Sequence, residues 1–213
     1  METVRVAYDF WKENGLKALI KKSKHKIQGI DNDYDYAEWY DLTKATEEEL
    51  AAQRTAVFEY MPKLSVVIPA YKTPERYLKE MLNSILAQTY ENWEICIADG
   101  SPAGESCERV LKRYAEQDRR FKYVILGENK GISGNTNAAM DMAAGDFIVL
   151  ADHDDTLPPH ALYEVVKAIN EHPEADVIYS DEDKMDMDGG ALFDPHFKPE
   201  FNIDLLRSVN YIC

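Results

Sequence analysis

From Lys63 onward the chain alternates short apolar runs with longer amphipathic ones. LSVVIPA (Leu64–Ala70) is a continuous apolar run of the kind a buried parallel strand shows. After it, Thr73-Pro74 predicts a helix start, with proline at a favoured first position. Tyr77, Leu78, Met81, Leu82, Ile85 and Leu86 recur at helical spacing, as one buried face should. WEICIA (Trp93–Ala98) and FKYVIL (Phe121–Leu126) read as the second and third strands, with a helix from about Glu105 to Gln117 between them. GENKGISG (Gly127–Gly134) reads as a glycine-containing loop leading into a helix of small residues, Asn135 to Ala144, closed by Gly145. DFIVLA is the fourth strand. Pro158-Pro159 opens a helix with Leu162, Val165, Val166 and Ile169 on one face, and DVIYS (Asp176–Ser180) is a fifth strand. Such alternation predicts right-handed βαβ units: an α/β fold with a Rossmann-like, mostly parallel sheet and helices on both faces.

Residues 1–62 lack this pattern and read as a helical N-terminal extension preceding a domain over 63–213. Tyr8, Phe10, Trp11, Leu16, Leu19 and Ile20 suggest an amphipathic helix. Thr46 followed by Glu47, Glu48 and Glu49 matches a capping box opening a helix to about Phe58.

Composition narrows the functional classes. The net charge of -15 disfavours nucleic acid as a partner, since such binding rests on neutralising phosphates. Residues 1–30 hold seven Lys and Arg against three Asp and Glu, leaving 24−7=17 against 39−3=36 elsewhere. A basic amphipathic helix can lie on an anionic membrane, so peripheral membrane contact through residues 17–26 is one expectation, and a solvated helix end is the other. Three cysteines with no CxxC pair point to a reducing compartment. With no signal-peptide pattern and no apolar stretch of about 20 residues, the expected location is cytoplasmic, at most on the inner face of the membrane.

The chemistry concentrates where strands end. Asp152, Asp154 and Asp155, with His153 among them, follow the fourth strand directly, and like charges clustered at a sheet edge favour a cation. Oxygen ligands at this spacing suit Mg2+ or Mn2+, ions that accompany phosphates. The other reading is a solvated acidic turn with Thr156 or Asp155 as N-cap. Pro69-Ala70-Tyr71 and Asp99-Gly100-Ser101 end two further strands on the same edge, where open α/β sheets bind ligands. Tyr71 offers a ring to a base, Asp99 an acceptor to its N–H groups, and the 127–134 loop a close approach to phosphate or ribose. That loop is neither GxGxxG nor a Walker loop.

Taken together, LSVVIPAYKTPERYLKEMLNSILAQTYENWEICIADGS, NKGISGNTNAAMDMAAGDFIVLADHDDTLPPHAL and VIYSDEDK resemble family 2 glycosyltransferases of the GT-A fold. FDPHFKPEFNIDLLRSVNYI is similar to the branch that builds bacterial O-antigens and other surface polysaccharides. The resemblance implies inverting, metal-dependent transfer of a sugar from a UDP- or dTDP-linked donor to a saccharide or lipid-linked saccharide acceptor. It implies nucleotide contacts at Pro69, Ala70 and Tyr71, a base-reading acid at Asp99, ribose and diphosphate contacts at Asn129 and Gly131, and an acid–x–acid motif at Asp152-His153-Asp154. Of these, Asp154 is the direct metal ligand, Asp152 the ribose or outer ligand, and His153 lines the site. Where the family often carries an arginine, this chain has Asn135 and Thr136. The family's catalytic base belongs to an acidic pair after the NYI segment, so it is expected beyond Cys213, with Asp181 as a weak substitute. The chain then reads as a donor-binding half cut from a longer enzyme, and a non-catalytic nucleotide-sugar binding module is the alternative.

Overall fold

The computed structural model describes residues 36–187 and 189–212. These residues group into two compact units, 45–179 and a second one that combines 36–44 with 180–212. The expected helix around Tyr8–Ile20 and the basic stretch 17–26 lie outside the described residues. The division expected at residue 62 falls inside the first unit, because the segment before it is anchored there: Leu50 is buried, and Thr89 donates its hydroxyl to Gln53 Oε1 at 2.8 Å.

The first unit begins with α2, Glu47–Gln53, preceded in the chain by α1, Tyr36–Thr43, of the second unit. The capping box at the start of α2 is formed: the Thr46 hydroxyl accepts from Glu49 N–H, and the Glu49 carboxylate accepts from Thr46 N–H. The helix ends at Gln53, short of Phe58. There follow β1 Leu64–Ala70, α3 Glu75–Leu86, β2 Trp93–Asp99, α4 Glu108–Gln117, β3 Phe121–Ile125, α5 Gly131–Met140, β4 Phe147–Leu150 and α6 Ala161–Glu171. All four strands are parallel, in the order β3-β2-β1-β4, as expected for the GT-A, Rossmann-like class.

Strand alternation splits the core in two. Leu64, Val66, Ile68, Trp93, Ile95 and Ile97 point to one face and pack with apolar residues of α3, α4 and α6. Val67, Cys96 and Ala98 point to the other and meet Ala139 of α5. Helices therefore cover both faces, and β1 and β2 read as continuous apolar runs because both of their sides are buried. The edge strand β4 differs. Its Ile148 and Leu150, aligned with Ser65 and Val67, are 44% and 63% exposed.

One buried charge sits on the α5 face. Glu94 Oε1 accepts from the Ser65 hydroxyl at 2.9 Å and from Ala144 N–H at 2.6 Å, while Oε2 accepts from Lys63 Nζ and from Lys122 Nζ, the latter at 2.9 Å. Burial alone would push its carboxyl up, but these donors outweigh it and hold it down to about 2. Gly145 packs into the same corner. A Cβ there would lie 2.5 Å from Lys63 O and 2.9 Å from Ser65 N, which are backbone atoms of β1 and its approach. Gly145→Ala is therefore expected to lower stability by about 2 kcal/mol, read as a shift in urea midpoint at unchanged slope.

Two further expectations are corrected. Asp176–Ser180 forms no strand: Val177 is 68% exposed, and the segment lies outside both sheets. An apolar run becomes a strand only where it finds a partner edge. The glycine loop is also shorter than expected, since α5 starts at Gly131 and ends at Met140, before Gly145. The physical reason is Asn129, whose side-chain oxygen accepts from Gly131 N–H at 2.9 Å, with Gly131 at φ +75°, a conformation that favours glycine.

In the second unit α1 packs on a two-stranded antiparallel ribbon of β5, Glu182–Met185, and β6, Leu192–His196, followed by α7, Ile203–Ser208. No helix among the described residues is long and apolar enough to cross a membrane.

Candidate functional site

Parallel register brings the strand ends of the first unit side by side. Ala70 aligns with Asp99, and Asp99 with Ile125. On the other side of β1, Val67 aligns with Leu150, and Ala151 N–H donates to Val67 O at 3.2 Å. The segments after β1, β2, β3 and β4 thus share one carboxyl edge, and that edge holds Tyr71, Asp99, Asn129 and Asp152–Asp155.

Asp99 is completely buried. One carboxylate oxygen accepts from Ser101 N–H at 2.9 Å. The other accepts from the Ser106 hydroxyl at 2.7 Å and Cys107 N–H at 2.9 Å, with Cys107 Sγ at 3.2 Å. Burial opposes its ionisation, yet the donors from Ser101, Ser106 and Cys107 hold the carboxyl below its ordinary value. A negative charge at the start of α4 also complements the helix dipole. Burial and the neighbouring Asp99 charge in turn push the Cys107 thiol up to about 12, so it is an inert hydrogen-bonding group. In this conformation Asp99 organises the 100–107 loop and offers no exposed oxygen to a base.

Sequence reasoning missed two organising residues. Ser101 accepts from Lys72 N–H at 2.7 Å, locking the turn after β1 to the turn after β2. Lys72 itself has φ +50°, unusual for a side chain of its size, and its ammonium pairs with Glu105 at 2.9 Å. Asn135 is buried under the turn after β2, and it links three segments. Its amide nitrogen donates to Ala70 O at 3.4 Å and Asn129 Oδ1 at 3.3 Å, and its oxygen accepts from Lys130 N–H at 3.1 Å. Gly100 is the fitting partner: a Cβ there would lie 2.6 Å from the Asn135 side chain. The glycine of the strand-end triplet Asp99-Gly100-Ser101 was the available signal.

Tyr71 is exposed at the edge and Pro69 half-buried behind it. Asp152, Asp154 and Asp155 are exposed, and His153 is half-buried. His153 Nδ1 lies 3.5 Å from Asp154 Oδ1, beyond hydrogen-bond reach, and is enclosed without a partner. Among the described residues no group of three or more His, Cys, Asp or Glu is arranged to hold a metal ion. Of the exposed carboxylates on this short turn, Asp152 and Asp154 do not make a closed protein cage, but they fit a hard divalent ion that takes its remaining ligands from phosphate and water. Asp181 lies in the second unit, where its Oδ1 accepts from Lys198 N–H at 2.7 Å.

The class of protein is that of α/β proteins with polar turns gathered at the carboxyl ends of a parallel sheet. The model of glycosyl transferase family 2 matches residues 65–194, more than half of the chain, and the chain belongs to that family. An uncharacterised Sinorhizobium fredii protein, y4gI, is 46% identical over 151 residues, 71% of this chain and 16% of that protein. The O-antigen biosynthesis protein RfbC of Myxococcus xanthus is 33% identical over 178 residues, 84% of this chain and 14% of RfbC. The chain thus spans about a sixth or less of the length of these relatives. Among solved structures, S. aureus TarS 1-349 in complex with UDP aligns with a TM-score of 0.48 at 27% identity, covering 52% of this chain and 33% of that one.

Proposed function

We propose that the 45–179 unit binds a nucleoside-diphospho-sugar, UDP- or dTDP-linked, and that the protein serves inverting transfer of its sugar to a saccharide or lipid-linked saccharide acceptor in bacterial surface polysaccharide synthesis. The observation that carries this reading is the convergence of the turns after β1, β2 and β4, with the start of α5, on one sheet edge. Pro69, Ala70 and Tyr71 contact the base, with the Tyr71 ring stacked on it. Asp99 shapes the base pocket through the loop it holds. Asn129 and Gly131 border the ribose and diphosphate at the start of α5, where N–H groups and the helix dipole favour an anion. Asp154 is the ligand that would hold Mn2+ or Mg2+, with Asp152 as ribose or outer ligand and His153 lining the site. When bound, such an ion supplies Lewis-acid stabilisation of the charge that develops on the departing diphosphate. The acceptor hydroxyl attacks the anomeric carbon from the opposite face, with its proton passing to a carboxylate base. The likeness to RfbC supports the polysaccharide setting, and the proposed place of reaction is the cytoplasmic face of the membrane.

One observation favours the second reading, a binding module without turnover. Asp181, the candidate base within the chain, already uses Oδ1 in a structural role, accepting Lys198 N–H at 2.7 Å. Calorimetric titration of UDP and of dTDP, each with and without Mn2+, tests the donor site. Metal-dependent binding of at least one nucleotide is expected. No binding of either to folded protein returns the 152–155 cluster to a solvated turn.

A further inference from the structure

The second unit displays an aromatic surface that the donor site does not use. Tyr36, Trp39 and Tyr40 recur at helical spacing along α1. Tyr36 and Trp39 are stacked, with centroids 5.5 Å apart and 22° between planes, and Tyr40 lies 6.3 Å from Tyr36. Phe197, just after β6, meets Trp39 edge-on at 5.3 Å. A face of this kind ordinarily closes a core, yet Trp39 is 45% exposed and Phe197 56%. Exposed aromatic clusters of this sort mark binding surfaces.

Phe197 is held outward by its neighbours. His196 Nδ1 is 3.1 Å from Glu182 Oε1. Lys198 donates its backbone N–H to Asp181 at 2.7 Å, and its ammonium, 4% exposed, donates to Glu182 at 3.1 Å and to Ile212 O at 2.6 Å. With both flanking residues tied down, the ring is preorganised and loses little freedom on contact. Tyr36 O–H donates to Asp183 Oδ2 at 2.6 Å, which fixes a carboxylate beside the stacked rings.

We infer that this surface, Tyr36, Trp39 and Phe197 with the Asp183 carboxylate, is a saccharide-binding platform for the acceptor, an inference that rests on the glycosyltransferase reading of the chain. The chemistry selects the occupant. A pyranose presents a face of C–H groups, which packs on the electron-rich face of an aromatic ring, and a rim of hydroxyls, which donate to carboxylates. Anionic partners are disfavoured. Over residues 36–44, 180–187 and 189–212, acidic side chains outnumber basic ones nine to four, so the platform itself suits an uncharged sugar better than a phosphate group or a nucleic acid.

The test uses the full chain, wild type and Trp39→Ala, with Trp39→Phe as the variant that keeps a ring. Each is applied to an array of bacterial surface oligosaccharides and to phosphatidylglycerol vesicles, with nucleotide titration run on the same samples. Wild type is expected to retain one or more oligosaccharides. Trp39→Ala is expected to weaken that binding at least 10-fold, Trp39→Phe to restore most of it, and nucleotide affinity to stay within 2-fold in both. Nucleotide binding with no oligosaccharide retained, vesicle binding without oligosaccharide binding, or retention indifferent to Trp39→Ala would each overturn the platform while leaving the donor site standing. Loss of nucleotide binding in wild type would count against the donor site instead.

Discussion

Asp154→Ala is expected to remove the Mn2+-dependent part of UDP or dTDP affinity, a loss on the order of 100-fold, with little change in thermal stability. The expectation follows from exposure and ligand count. Asp154 is an exposed carboxylate on the turn after β4, and the interaction its structure provides is the long approach to His153. Removing it takes away no hydrogen bond of a buried group, so little change in folding stability is expected. In the proposed site Asp154 is the direct protein ligand and Asp152 the ribose or outer ligand, so deleting Asp154 takes away the ion's direct protein contact. Asp154→Asn separates charge from shape: an amide oxygen can still coordinate, and its lower charge should leave affinity between wild type and alanine. Calorimetry with and without metal measures this directly. Equal affinity of wild type and Asp154→Ala in Mn2+ would sink the assignment.

The largest expected effect on stability belongs to Glu94→Gln, a loss of about 3 kcal/mol near neutral pH. The carboxyl stands at about 2 in the folded protein against an ordinary value of 4.5, and each pH unit of such a shift corresponds to about 1.4 kcal/mol. A depressed carboxyl contributes stability that is complete above its unfolded value and is lost as pH falls toward its folded value. The difference between wild type and Glu94→Gln is therefore expected to be constant above about pH 5 and to shrink steadily between about pH 4 and pH 2. Urea unfolding at several pH values checks this, and a difference that does not depend on pH would overturn the account. The network matters beyond its own energy. Ala144 N–H donates to Glu94, Gly145 N–H to the Ser65 hydroxyl and Asp146 N–H to Lys63 O, and Lys63 N–H donates to the Asp146 carboxylate. These bonds fix the entry to β4 and hence its register against β1, which sets where the acidic turn at its far end lies.

The sheet was legible in the sequence because burial on both faces writes continuous apolar runs. LSVVIPA is β1 residue for residue, and WEICIA falls one short of β2. DVIYS has the same local character and forms no strand, since a run of apolar residues carries no information about whether an edge is free to receive it. The acidic turn was legible from three carboxylates directly after a strand. Asn135 was not, because its role depends on Ala70, 65 positions away, and on the missing side chain of Gly100. The fully enclosed state of Asp99 was equally hidden, since its partners come from a loop whose fold the sequence does not specify. The aromatic group of the second unit combines residues some 160 positions apart, beyond the reach of any periodicity.

The edge strand β4 has a consequence for handling the protein. Four residues long, it presents Ile148 and Leu150 to solvent beside a backbone edge that, among the described residues, is paired on one side, by β1. Such an edge is a template for strand addition, and native sheets usually blunt it with lysine, proline or a covering element. None of Phe147–Leu150 is charged or proline. Colloidal behaviour should therefore depend on concentration, with self-association seeded at this strand, and a lysine in place of Leu150 is the substitution suited to keeping the isolated chain dispersed.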